Sequence, residues 1–128
     1  MDKTTLNPSR AVMEATLSRF SAAWGRGDID GLMALMADDP TYRTSSGLTF
    51  RGRQEVREGF ARICRPSDPA TDPPPPAAPH FFDNKCLSFF TLLLPAVGGG
   101  LAMVEGVDII TFDGDGRIVA KDAYRKLG

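Results

Sequence analysis

The chain has 128 residues, 42% of them apolar and 24% charged, with a net charge of −1. That length and balance predict one soluble globular domain able to bury a core. They exclude a global basic field of the kind that selects nucleic acid or an anionic membrane, and Lys and Arg form no run.

The opening "MDKTTLNPSR" holds no apolar stretch of the secretion-signal type. The longest apolar run, "CLSFFTLLLPAV", is too short to span a bilayer and is broken by Pro95. The expected location is therefore the cytoplasm. That suits Cys64 and Cys86, which form no CxxC, have no histidine nearby and read as two reduced thiols rather than zinc ligands.

The first predicted element is a helix from about Pro8 to Gly25. Met13, Leu17, Phe20 and Trp24 recur on one helical face, Pro8 suits the first turn, and Gly25 and Gly27 end it. A short second helix follows, capped by Asp28 or Asp30 and burying Leu32, Leu35 and Met36. Pro40 cannot continue it, so "ADDPTYRT" turns into a strand with Tyr42 and Thr44 on one side. "SSGLTFRG" is a hairpin-like link, and "RQEVREGFARIC" is a third helix with Val56, Phe60 and Ile63 on one face.

Seven of the ten prolines then fall between Pro66 and Pro79. Such a run lacks backbone donors for a sheet and prefers an extended, solvated path. The stretch at about 65–79 reads as a loop inside a single domain spanning 1–128, because neither flank is large enough to fold alone. A proline-motif ligand for a partner protein is its weaker reading. Beyond it the pattern is of strands: "HFFDNK", "CLSFFTLLL", "LAMVEGVDIITF" and "RIVAKDAYRK", joined by the turns "AVGGG" and "DGDG". The DGDG has the start of a calcium loop without its later ligands, so a tight turn is the reading and no metal site is expected. Helices first and strands later imply an α+β fold with helices on one face of a curved antiparallel sheet.

Three segments, "WGRGDIDGLMALMADDPTYR", "FRGRQEVREGF" and "VEGVDIITFDGDGRIVAKDAYRK", resemble the nuclear-transport-factor-2-like superfamily, in its SnoaL-like and ketosteroid-isomerase-like branch, from about Val12 to Lys126. The resemblance implies a cystatin-like cone: a sheet wrapped on about three N-terminal helices, with a pocket between them. It implies fold far more than activity, since this superfold hosts isomerases, hydrolases, cyclases, dehydratases and binding modules. Against the ketosteroid isomerase pattern, Phe20 stands where that family has a tyrosine donor, Thr44 where it has an aspartate base, and Asp108 matches its late-strand aspartic acid. The usual steroid double-bond shift is therefore not expected. Against the limonene epoxide hydrolase pattern, Tyr42-x-Thr44 is similar to Tyr-x-Asn, but Gly106 replaces the arginine of Arg-x-Asp and Ala123 falls near the second aspartate. In SnoaL-like cyclases a pocket carboxylate is the acid or base, and Asp108 is the candidate.

Asp108 lies amid Val107, Ile109 and Ile110, where a carboxylate is costly unless paired or neutral. Counting back from a turn with Phe112 opposite Arg117 puts Asp108 opposite Lys121, with Ala123 and Arg125 on the same face. Two readings stay open: a plain cross-strand ion pair, or a pair lining the cavity in which Asp108 moves a proton. The expected ligand wall is Phe20, Trp24, Tyr42, Thr44, Phe60, Lys121 and Ala123, with His80 entering if the proline loop folds over the pocket. The expected chemistry is cofactor-free isomerisation, cyclisation or hydration of a small apolar or aromatic carbonyl compound. A non-catalytic binding dimer is the alternative. The superfamily's habit of pairing through the other sheet face predicts a homodimer using Phe89, Leu92, Leu94 and Ile109.

Overall fold

A computed structural model describes residues 7–66 and 73–126. Helix α1 spans Arg10–Arg26. It starts two residues later than expected because Ser9, not Pro8, caps it: the Ser9 hydroxyl accepts from the Val12 N–H at 3.1 Å. Gly25 stays helical, and Gly27 ends the helix in the left-handed conformation at φ 67, where a side chain would be strained. Met13, Leu17, Phe20 and Ala23 give α1 its buried stripe.

The five-residue α2, Ile29–Met33, is capped by Asp28, whose carboxylate accepts from Gly31 N–H at 2.9 Å. That bond, and then Arg26, hold Asp28 below its ordinary value. Leu32 and Met33 are buried, but Met36 already belongs to strand β1, Met36–Arg43. The turn between them is held by Arg53, whose guanidinium donates to the carbonyls of Met33, Met36 and Ala37 at 3.0–3.1 Å. The Met33 carbonyl is one that the end of α2 leaves open, and the other two open β1. The link after β1 is a true hairpin: β2, Thr49–Arg51, pairs antiparallel with β1. Two strands therefore separate α2 from α3 (Gly52–Ile63), not one. Val56, Gly59 and Phe60 are the buried face of α3, while Ile63 is exposed. Gly59 is there because the Phe50 ring lies where its Cβ would be.

Strands β3 (His80–Phe82), β4 (Lys85–Pro95), β5 (Leu101–Phe112) and β6 (Ile118–Arg125) complete one six-stranded sheet in the order β2-β1-β6-β5-β4-β3. Every pairing is antiparallel except β1 with β6, which is parallel. This is the expected α+β architecture, with a single parallel seam between β1 and β6, strands that β2, α3, β3, β4 and β5 separate in the chain. The helices cover one face. Met13, Phe20, Leu32, Val56, Phe60, Ile110, Phe112 and Ile118 form the core between them and the sheet.

The DGDG segment is a tight turn. The Asp113 carboxylate accepts from the N–H groups of Asp115 and Arg117 at 2.9 and 3.0 Å, and Gly116 takes φ 83. Thr16 on α1 donates to the Gly116 carbonyl at 2.9 Å, tying the helix to this end of the sheet. Of the proline loop, residues 67–72 lie outside the described residues. Of its described residues, Pro74 reaches β4, where Thr91 donates to its carbonyl at 3.1 Å, and Pro66 lies against Gly27 at the end of α1. Among the described residues no helix is long and apolar enough to cross a membrane.

Candidate functional site

Asp108 lies on the helix-covered face of β5, in line with Ile110 and Phe112. It pairs with Lys121, Nζ to Oδ1 3.4 Å, but the two are not directly opposite. Ile110 faces Lys121 and Ala123 faces Asp108. The count from the turn misses by two residues: Phe112 faces Ile118 rather than Arg117, which accounts for one, and the irregularity between Thr111 and Phe112 adds the other. A shift of two preserves the face, since side chains alternate, so the pair survives as a diagonal contact.

This is not a surface pair. The side chains of Lys121 and Asp108 are 6% and 17% exposed. Ion pairs elsewhere in the described residues, such as Arg10–Glu14, lie open to solvent. The Lys121 ammonium is walled by aromatic faces: Tyr42 at 4.6 Å, Trp24 at 4.9 Å and Phe20 at 6.0 Å from the ring centroids. Those rings attract a cation through their negative faces. Phe60 locks the wall, meeting Tyr42 at 5.0 Å, Trp24 at 5.9 Å and Phe20 at 6.1 Å. Four of the seven expected wall residues, Phe20, Trp24, Tyr42 and Phe60, therefore converge on a fifth, Lys121. The helical spacing of Phe20 and Trp24 brings two of the rings to one face, and parallel pairing of β1 with β6 sets Tyr42 beside Lys121.

The electrostatics follow from burial. Burial pushes the Asp108 carboxyl above its ordinary value of 3.8, and the Lys121 charge and hydrogen bond oppose this without cancelling it. Burial, then the Asp108 and Cys64 charges, drive the Tyr42 hydroxyl up, so it stays a neutral donor. Cys86 is raised to about 11 by burial and then by Asp108. Burial also raises Cys64, against Arg65 and Lys121. Both thiols are free and buried, and Cys64 donates to the Trp24 carbonyl at 3.3 Å.

The strand neighbours of Asp108 are small or aromatic. Ser88 on β4 and Ala123 on β6 flank it directly, and both are small. Two residues along, Gly106 faces Phe90, and a Cβ at Gly106 would fall inside the Phe90 ring. The position that resembles an arginine site in the hydrolase pattern is thus a seat for an aromatic ring. Ser88, Phe90, Cys64 and Cys86 were missed by sequence reasoning. Ser88 and Phe90 share the parity of Cys86 along β4, and counting from the AVGGG turn, which joins Pro95 to Leu101, would have set Ser88 beside Asp108 and Phe90 beside Gly106.

Other expected residues lie elsewhere. Thr44 is buried, but its hydroxyl works in the turn after β1, bonding Ser46 at 2.9 Å and accepting from Leu48 N–H at 3.1 Å. His80 is exposed and packs edge-on against Phe89, on the opposite sheet face. Arg125 shares the Asp108 face by register but is exposed at the far end of β6. The proposed interface set also divides. Phe89 and Ile109 point to the outer face, whereas Leu92 and Leu94 have the parity of Ser88 and point the other way.

Residues 17–121 match the family described as the SnoaL-like domain. The chain belongs to that family. Among solved structures, it is similar to a "putative polyketide cyclase" from Xanthomonas campestris pv. campestris, with a TM-score of 0.69 and 17% identity over 90% of each chain. At that identity the likeness shows the SnoaL-like fold, which is the cone with a curved sheet expected from the three resembling segments.

Proposed function

We propose that this SnoaL-like domain binds a small apolar or aromatic carbonyl compound against the Asp108–Lys121 pair and moves a proton on it without a cofactor. The observation that carries this reading is a mostly enclosed carboxylate whose partner ammonium stands inside a wall of Phe20, Trp24 and Tyr42. A plain structural pair gains little from such burial, because desolvation offsets the Coulomb attraction.

The roles follow from charge. Asp108 is the base that takes a proton from carbon next to the carbonyl, and burial makes it a stronger base than a solvated carboxylate. The ammonium of Lys121 and the neutral hydroxyl of Tyr42 are donors for the oxygen that becomes negative as the proton leaves. Return of the proton at another position gives isomerisation. Attack of the resulting carbanion on a second carbonyl of the same molecule gives cyclisation, a direction supported by the name of the solved relative.

The test is deuterium exchange at the acidic carbons of 1,3-diketones and aryl ketones, followed by NMR. Asp108→Asn is expected to cut the protein-dependent rate by about 10²–10⁴-fold. An unchanged rate in a folded variant ends the proton-transfer reading.

A second reading is a binding or accessory dimer with no chemistry. It is supported by Phe20 and Thr44 at two positions that carry functional groups in ketosteroid isomerases, and by the turn role of the Thr44 hydroxyl. It predicts quenching of the single tryptophan, Trp24, by ligands that undergo no exchange. We place the dimer contact on the outer sheet face, where Leu93, Met103 and Tyr124 are exposed.

A further inference from the structure

We propose that Lys121 captures the carbonyl compound covalently, forming an imine with an aldehyde or ketone held between Trp24, Phe20 and Tyr42. The inference rests on the reading of this site as a carbonyl-binding pocket with Asp108 as the base, and deepens it by naming the substrate class and the reacting atom: Lys121 holds the substrate through a bond in place of donating to its oxygen.

The placement of Lys121 carries the argument. The chain has four lysines, at positions 3, 85, 121 and 126. Lys85 donates to Thr111 at 3.0 Å, and Lys126 is exposed. Lys121 alone among the described lysines is buried, at 5% exposure. Its hydrogen bond among the described residues is one long contact to Asp108, so an ammonium with three donors is served chiefly by ring faces. An amine enclosed among apolar groups, with a carboxylate in contact, is the setting in which lysines form covalent bonds to carbonyl substrates. The receiver is already in contact: the Asp108 carboxylate, at 3.4 Å, which burial inclines toward its protonated form. Moving the proton from Lys121 to Asp108 replaces two buried charges by two neutral groups.

The steps balance with these two residues and the substrate. The Nζ lone pair attacks the carbonyl carbon, the C–N bond forms, and the carbonyl oxygen takes from Asp108 the proton that Lys121 gave it, which yields a carbinolamine and restores the Asp108 carboxylate. Nζ loses a proton to the Asp108 carboxylate, and the protonated Asp108 delivers one to the departing hydroxyl. The C–O bond breaks, water leaves and the C=N bond forms. Addition of water reverses the sequence and restores the free amine. No oxidant or reductant enters. The imine nitrogen, once protonated, draws electrons from the neighbouring carbon more strongly than the parent ketone does, which eases the proton removal proposed above.

The whole chain is incubated with benzaldehyde and sodium cyanoborohydride, which converts an imine irreversibly to a benzylamine, and each lysine peptide is then mapped by mass. Trp24 fluorescence is titrated with benzaldehyde alone in parallel. The expected result is Trp24 quenching together with a benzyl group on Lys121 acquired before Lys126. Lys121→Arg should abolish the adduct at that position, and Asp108→Asn should slow it. Quenching with benzylation of Lys126 but not Lys121 overturns the imine and leaves the binding pocket standing. Absence of both quenching and Lys121 modification overturns the pocket reading as well. The mapping on the unaltered chain keeps the test decisive even if a variant fails to fold.

Discussion

The two faces of the same sheet each depart from the usual pattern. An antiparallel sheet with one covered face normally turns apolar residues inward and polar residues to water. Here the helix-covered face of β5 and β6 carries Asp108 and Lys121 among Ile110, Phe112 and the aromatic wall. The opposite face carries Phe89, Leu93, Met103, Val107 and Tyr124. Met103 is 63% exposed and Tyr124 49%. Folding alone favours neither placement. A buried ion pair is at best neutral beside well-packed apolar residues, and large exposed apolar groups mark surfaces that meet something else. The difference teaches where to look: the proposed ligand chemistry rests on the inner face, and the proposed contact between copies on the outer face.

The largest expected effect that would break this comparison is on the inner face. Lys121→Met keeps the volume but leaves Asp108 enclosed without its partner, and should cost about 3–5 kcal/mol in denaturant unfolding. Pairing it with Asp108→Asn should recover most of that loss, because no unpaired charge remains. Tyr124→Ala on the outer face should cost about 1 kcal/mol or less. Equal losses on the two faces would mean that Lys121 is no more enclosed than Tyr124.

A second, steric effect sharpens the boundary between the faces. Gly106→Ala forces a methyl group into the Phe90 ring and toward the Tyr124 carbonyl. Strain of this kind costs about 1–3 kcal/mol. Phe90→Leu in the same chain should relieve part of it. If Gly106→Ala is neutral alone, Phe90 does not lie across Gly106.

Much of this was legible in the sequence. The helices were readable because apolar residues recur at helical spacing and cap residues stand at their ends. The face shared by Asp108 and Lys121 was readable because strand parity tolerates a shift of two. The register itself was not: the pair beside the turn lies one residue further along β6 than counted, and the irregularity beside Phe112 adds one more. The β1–β6 seam was also hidden: parallel neighbours distant in sequence leave no local turn signal. For the same reason the aromatic wall around Lys121 could be listed but not assembled, and Thr44 and His80 were placed at the site by order in the chain rather than by geometry. The outer-face group mixed Phe89 with Leu92 because a continuous apolar run hides parity.

A third prediction concerns acidity. Asp108 has a folded-state value above its unfolded value near 3.8, so the folded protein holds this proton more tightly. Its contribution to stability is present in full below the unfolded value and is lost as pH rises through the raised folded value. Proton transfer has the opposite sense, since the base must be ionised: its rate should rise with pH through the same raised value. Asp108→Asn should remove both dependences. A rate that rises instead in the ordinary carboxylate range would place Asp108 in water and dissolve the contrast between the faces.

The smallest expected effect on stability belongs to the outer face. Met103→Glu replaces a side chain that is already largely solvated, so the monomer loses no enclosed packing and Tm should stay within the change given by about 0.5 kcal/mol. The same substitution sets a charge opposite Leu93 and beside the other exposed groups of that face. If two copies meet there, one carboxylate from each must be desolvated, and sedimentation should show the dimer weakened while the unfolding curve is unmoved. If sedimentation is unchanged, the outer face is not the place where copies meet. Its exposed apolar groups would then call for a different partner, while the argument for the inner face, which rests on Lys121 and its wall, would stand unaltered.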